Sequence, residues 1–417
     1  MRILFAVQRY GAQVPGGAEL AAREFATRLA LRGHATEVLT SCAVSYVDWA
    51  NAYPPGTEEL DGVLVHRLPV SEPREDRIFG PMHARVPFGR HRVPPFMQRD
   101  WMRMQGPNLP GLTPWLRERA TSYDRIVFFT YLYFTAAAGL PAAAGLVPTV
   151  LHPTAHDEPP LYLSLFDLTF RLPSALAFLT EEEAELVANR FHVRLPSTVT
   201  GLGVELNVAA SDEDVTAFRA GVAGHSLPQG DPGLGTRPYL VYVGRVDPGK
   251  GSVELFDFFT AYKRRNPSDL ALVVVGDPVE PMPPHPDIFI TGFVAEPTKR
   301  AAMGGSLALV QPSYFESFSL VLVEAWALGK PALVQGRCDV LDGHARRSGG
   351  GIPYRGFAEF EAALDLVRSD PGLAGALGRA GRRYVERRYA WDRVIARYEA
   401  FLSGMRVPAP AVRLEGS

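Results

Sequence analysis

Cysteine is nearly absent. Cys42 and Cys338 are the only two in 417 residues, and they lie far apart with no ligand-type cluster beside either. That excludes a disulfide scaffold, argues against a zinc site and suits a reducing compartment. No metal ligand set is assigned. A dominant charge is also lacking. The net charge is -2, so nothing draws the chain as a whole toward nucleic acid or anionic lipid, and no nucleic-acid partner is expected. The start, MRILFAVQRYG, is too short in apolar residues for the core of a signal peptide. The expected location is the cytoplasm, with peripheral contact at the inner face of the membrane as an open alternative. A GxGxxG run is missing, so a redox dinucleotide fingerprint is not supported. Long uncharged runs are scarce as well. The one candidate, residues 126–151, carries Gly139, Pro141, Gly145 and Pro148. It reads as strand, short helix, strand inside a sheet rather than as a membrane span.

What is present is a soluble α/β chain. Hydrophobic residues are 47% and charged residues 21%. The length is too great for one ordinary core, and two domains are expected. Apolar runs alternate with helical patterns: a strand at Ile3–Val7, a helix from about Ala18 to a Gly33 stop, then HATEVLTS, GVLVHRL, RIVFFTY and VPTVLHP. Thr180 and Glu183 form a capping box for the helix after SALAFLT. A turn-rich segment ends near Arg237, and the alternation restarts at YLVYVG. This predicts two doubly wound, Rossmann-like domains. Residues 1–205 form the first, 206–237 connect, 238–385 form the second, and 386–417 supply a closing helix and a disordered tail from Val407. Between Glu72 and Arg103, seven arginines mix with Phe, Trp and Met. That stretch reads as a surface loop plus helix, or as an acceptor or membrane-surface patch.

Doubly wound sheets bind ligands beyond the C-terminal ends of their strands. Four constellations fall there. GRVDPGKGS at Gly244 nearly spells a P-loop, but Gly251 replaces the hydroxyl that would hold Mg²⁺. What remains is two cations, Arg245 and Lys250, suited to a diphosphate. Asp277 is the one candidate for the acidic strand end of an ATPase. In PSYFESFSLVLVEAWALGKP, Glu316 and Glu324 stand eight apart, close to two helical turns. Ser319 is placed as N-cap, leaving N–H groups near Ser319 and Leu320 as an anion site. Glu324 lies in an apolar helix and needs a partner, either ribose hydroxyls or a Lys or Arg. Gly16 and Gly17 open the first helix and allow close backbone approach. HPTAHDEPP brings His152, His156, Asp157 and Glu158 to a strand end, at spacings that match no zinc template.

These motifs, in this order, resemble the retaining GT-B glycosyltransferases, in particular family 4. The resemblance rests on Gly16-Gly17, His156-Asp157, the GR…KG pair Arg245 and Lys250, TGFV at Thr291–Val294, and the Glu316/Glu324 pair. It implies that a nucleotide-sugar, a UDP- or GDP-sugar, is the donor and that no further cofactor is used. Arg245 and Lys250 would bind the diphosphate, Ser319 and Leu320 would hold the same phosphates, and Glu324 would bond the ribose. Glu316 would contact the donor sugar, and Val294 the base. Gly17 and His156 would serve the donor sugar and acceptor from the first domain. The catalytic set is then Glu316, His156, Arg245 and Lys250. The implied activity is metal-independent hexosyl transfer with retained configuration, to a saccharide, lipid-linked or small-molecule hydroxyl. A GT-B phosphorylase, a nucleotide-sugar hydrolysing epimerase and a silent sugar-nucleotide binder are the alternatives. The segment RCDVLDGHARRSGGGIPY departs from the family pattern and reads as either donor-sugar selection or a surface turn, and Trp326 is bulkier than the family's usual residue.

Overall fold

The computed structural model describes residues 1–405 apart from 15, 90–91, 208, 223–232 and 280–284. Residues 208 and 223–232 of the expected 206–237 connector, and the tail from Val407, therefore lie outside the described residues, and the connector holds a helix at Asp212–Val222. The chain forms two compact units, residues 1–201 with 395–417, and residues 202–394.

The first unit holds eight strands: β1 Arg2–Ala6, β2 Ala35–Ser41, β3 Gly56–Leu60, β4 Val63–Leu68, β5 Arg125–Phe129, β6 Thr149–His152, β7 Ala175–Phe178 and β8 Ser197–Val199. Their order is β3-β4-β2-β1-β5-β6-β7-β8, all parallel except the β3–β4 pair. The strand order turns back between β1 and β5, so the loops after those two strands flank a switch point. The uncharged stretch resolves into β5, a helix at Phe134–Ala143 and β6. Both strands are buried along their whole length, which explains their continuous apolar runs. No described helix is long and apolar enough to cross a membrane. The arginine-rich stretch is more ordered than a surface loop. It forms helices at Asp76–His83, Val86–Gly89 and Pro95–Gln105. Trp101 and Gln98 are buried, and the Gln98 amide ties the last helix to Ser164 and the Leu165 N–H.

The second unit holds β9 Tyr239–Val243, β10 Ala271–Val275, β11 Ile288–Gly292, β12 Ala308–Gln311, β13 Ala332–Gln335 and β14 Gly351–Tyr354. The order is β11-β10-β9-β12-β13-β14, fully parallel, which is the Rossmann order with its switch point between β9 and β12. The segment around Cys338 is more ordered than a surface turn. It contains the helix Asp339–Ser348, and His344 is fully buried among Phe318, Trp326, Tyr384 and Tyr389. Trp326 donates its Nε1–H to the Gly350 carbonyl at 2.9 Å. A Cβ on Gly381 would lie 2.3 Å from the Trp326 ring, so the glycines make room for the indole.

One core residue of the first unit works against stability. His152 is fully buried and stacks on Phe129 at 4.5 Å, with Phe25 and Tyr398 around it. Neither ring nitrogen has a hydrogen-bond partner among the described residues. Burial pushes the imidazole down to about 3. A base held neutral in the fold contributes full stability above its unfolded value near 6.5 and loses it as pH falls toward 3. His152→Phe is therefore expected to raise stability at pH 7 and to gain about 2 kcal/mol more at pH 5. Urea unfolding at the two pH values checks this, and an equal or smaller gain at pH 5 contradicts it.

Candidate functional site

The second unit builds its site on the two loops that flank the β9/β12 switch point. Two glycines let the strand ends approach: Gly244 has φ +152°, and a Cβ on Gly276 would lie 2.0 Å from the Gly244 carbonyl oxygen. Asp247 then organises the first loop. Its Oδ1 accepts the Lys250 N–H at 3.1 Å and caps the short turn Pro248–Lys250. Its Oδ2 accepts Arg245 Nε at 2.5 Å. Lys250 Nζ donates to Glu316 Oε1 at 2.9 Å, joining the loop after β9 to the loop after β12. Gln311, the last residue of β12, donates to Ser319 Oγ at 2.9 Å and to Glu316 Oε1 at 3.5 Å. Arg245, Lys250, Glu316 and Ser319 are thus joined in one network. Lys250 remains 38% and Arg245 51% exposed at the side chain, so both cations stay reachable.

Two details differ from the sequence reading. The helix begins at Leu320, so Glu316 precedes it and the spacing to Glu324 is not a helical stripe. Ser319 sits at the N-cap position in the left-handed region with φ 65°, yet its hydroxyl accepts from Gln311 instead of capping the first turn. The amides at Leu320 still open the helix, where an anion is favoured. Glu324 projects from that helix, and both its oxygens receive Lys299 Nζ, at 3.0 and 2.9 Å. Lys299 also reaches Glu296 at 2.8 Å. Burial pushes the Glu324 carboxyl above its usual range despite Lys299. Burial also disfavours the Lys299 charge, but Glu324 and Glu296 outweigh it and hold the ammonium above its usual range.

Val294 lines a cavity of about 420 Å³ with Phe218, Ile290, Thr291, Phe293 and Pro297. Asp277 has a structural task there: its Oδ1 accepts the Phe293 N–H at 3.1 Å and pins the loop after β11. The one Asp-x-Asp spacing in the chain, Asp212 to Asp214, opens a helix, where Asp214 accepts from Ser211 Oγ at 2.8 Å. Among the described residues no group of three or more His, Cys, Asp or Glu could hold a metal ion.

In the first unit, Gly17 begins the helix Gly17–Leu31 and has open space about its Cα. Gly16 has φ +141°, and a Cβ there would meet Glu19 Oε2 at 2.1 Å. Glu19 is buried, and its Oε1 accepts from Gln8 Nε2 and Arg9 Nε, each at 2.9 Å. This buried ion pair shapes the loop after β1. The sequence carries only a faint sign of it, a Glu in the helix's first turn. His156 stands after β6 with its Nδ1 3.2 Å from Glu158 Oε1, and Tyr162 donates to Asp157 at 2.6 Å.

Residues 230–342 match the family model of glycosyl transferases group 1. A D-inositol 3-phosphate glycosyltransferase of Kribbella flavida is 27% identical over 259 residues, 56% of this chain and 57% of that protein. The matched part therefore spans little more than half of that relative. The enzyme of the same description from Stackebrandtia nassauensis is 27% identical over 88% of this chain and 83% of its own length. Among solved structures, sucrose-phosphate synthase from Thermosynechococcus elongatus superposes with a TM-score of 0.70 at 16% identity, covering 97% of this chain and 98% of that one. Anabaena HepE in complex with UDP and glucose superposes at 0.67 and 17% identity, covering 97% and 99%. Part of the second unit thus matches the group 1 family model, and the fold of the chain is the two-domain GT-B architecture of the solved glycosyltransferase structures.

Proposed function

We propose that the chain moves a hexose from a nucleotide-sugar to an acceptor hydroxyl, with retained anomeric configuration and without a metal ion. The observation that carries this is the network at the second unit's switch point, which joins Arg245 and Lys250 through Asp247, Glu316 and Gln311 to Ser319 at the start of the Leu320–Ala327 helix. Cleaving a sugar–phosphate bond places negative charge on the departing nucleoside diphosphate and positive charge on the anomeric carbon. Fixed cations and helix-end amides meet the first charge directly. In this reading Glu316 contacts the sugar hydroxyls, Glu324 the ribose and Val294 the base. Gly17 and His156 act on the sugar and the acceptor. The departing phosphate takes the acceptor proton, so the new bond forms on the face the old one leaves. UDP is the favoured nucleotide, because UDP occupies the HepE structure.

A thermal-shift panel of UDP, GDP, ADP and dTDP, followed by sugar release from the matching donor, tests the reading. One diphosphate is expected to raise the melting temperature by several degrees at about 100 times its Kd. Diphosphate release is expected to persist in EDTA, and proton coupling constants of the product are expected to show retention. Full dependence on Mn²⁺ sinks the metal-free mechanism, and an inverted product sinks retention. No shift with any of the four sinks the donor assignment.

A further inference from the structure

The loop after β6 is held far more firmly than a solvent loop requires. Thr154 and Thr130 both have positive φ, 50° and 64°, a region that β-branched residues rarely adopt. Their hydroxyls lie 3.3 Å apart, linking the loops after β6 and β5. Glu183 Oε1 accepts the Ala155 N–H and Oε2 the Leu179 N–H, both at 2.7 Å. Thr180 Oγ1 accepts the Glu183 N–H at 3.2 Å, the first half of the expected capping box, while the Glu183 carboxylate fixes the backbone immediately before His156. Strain of this kind persists where surrounding contacts over-determine it, and it clusters at working sites. The side chains continue the pattern. Glu158 Oε1 lies 3.2 Å from His156 Nδ1, an ion-pair approach that is off hydrogen-bond alignment, and accepts the Tyr131 hydroxyl at 3.1 Å. Tyr131 itself is fully buried directly after β5, at the first unit's switch point.

We propose that Glu158, steadied by Tyr131, is a positioning residue that fixes His156 as the Nδ1–H tautomer, making Nε2 the ring's basic nitrogen. In a histidine the hydrogen bond at one nitrogen decides the chemistry of the other. The carboxylate charge 3.2 Å from Nδ1 favours the proton on that nitrogen, which leaves Nε2 to accept a hydrogen bond from a sugar hydroxyl. Burial alone would push the Glu158 carboxyl up, but His156, the Tyr131 hydroxyl and His83 hold it below its usual range, so it is an anion at neutral pH. The titratable groups facing this pair are Glu183 from the helix Glu181–Phe191, Tyr131 from the loop after β5, and His83 from the helix Asp76–His83. The catalytic consequence rests on the transferase reading above, whereas the tautomer does not.

The test is therefore split. Imidazole ¹H–¹⁵N spectra of the full chain, labelled at histidine, report tautomer and titration, with His156→Gln identifying the signal. Wild type is expected to show a protonated Nδ1 and a bare Nε2. Glu158→Gln is expected to lose that preference and to move the His156 midpoint to lower pH by about one unit. Tyr131→Phe is expected to give a smaller shift in the same direction, and it carries the test if Glu158→Gln does not fold. In the donor-cleavage assay, Glu158→Gln is expected to lower kcat at least 10-fold with the donor KM little changed. A His156 signal that keeps its tautomer and midpoint in both variants overturns the relay. Loss of the tautomer with no change in kcat also overturns the positioning role. Absence of donor binding in wild type, with the tautomer intact, instead defeats the transferase reading.

Discussion

Lys250→Ala is expected to weaken nucleoside-diphosphate binding by about 100-fold while leaving nucleoside binding within about twofold. The argument begins with the partner of Lys250. Its ammonium sits 2.9 Å from Glu316 Oε1, and that carboxylate is mostly buried. Removing the lysine does two things: it deletes a cation that meets the phosphates, and it leaves Glu316 as an uncompensated anion facing them. The penalty should therefore exceed that of one lost contact. The nucleoside lacks phosphates and feels neither effect. A second substitution separates the two contributions. Lys250→Ala combined with Glu316→Gln should recover part of the diphosphate affinity, because the repelling charge is gone, although activity stays low. Calorimetric titration with the diphosphate and its nucleoside measures both. An equal loss for the two ligands would show that Lys250 supports the fold and does not read phosphate.

The same pair shows what the sequence could reveal. Arg245 and Lys250 were legible because their spacing after an apolar strand is a local pattern, and Glu316 because of its register before a helix. Their counter-ions were not. Asp247 lies inside the motif, but its caps on Lys250 N–H and Arg245 follow from how the turn closes. Lys299 meets Glu324 across 25 residues of chain, and Gln311 reaches Ser319 only because β12 ends beneath the helix start. Such meetings are set by tertiary approach, which spacing does not encode. Edge strand β3 shows the same limit from the other side: GTEEL is mostly exposed and has no apolar alternation to mark it. By contrast, β5, β6, β9 and β10 are buried throughout, and their apolar runs announced them.

Gly251→Ser would complete the P-loop pattern in letters, and it is expected to damage the second unit instead of conferring ATP hydrolysis. Gly251 has φ +70°, where a side chain costs about 1–2 kcal/mol. It is also the cap position between the Pro248–Lys250 turn and the helix Ser252–Arg265. A Cβ there would lie 2.2 Å from the Pro312 carbonyl oxygen and 2.9 Å from its carbon. Those are backbone atoms at the end of β12, so no rotamer can relieve the contact. Either the β9 loop or the segment leading to Glu316 must move. With strain and clash together, a loss of about 3 kcal/mol or more is expected, roughly a 10 °C fall in the melting temperature for a unit of this size. Gly251→Ala should do nearly the same harm, since the lesion is the Cβ and not the hydroxyl. Diphosphate binding should fall in both, because Lys250 precedes the cap and Glu316 follows Pro312. Thermal unfolding of the full chain with and without diphosphate checks this. A Ser variant that melts like wild type and binds Mg-ATP would restore the nucleotide-triphosphatase reading. The geometry opposes that result: the position is glycine because the loops after β9 and β12 close upon each other there, and that closure sets Lys250 beside Glu316.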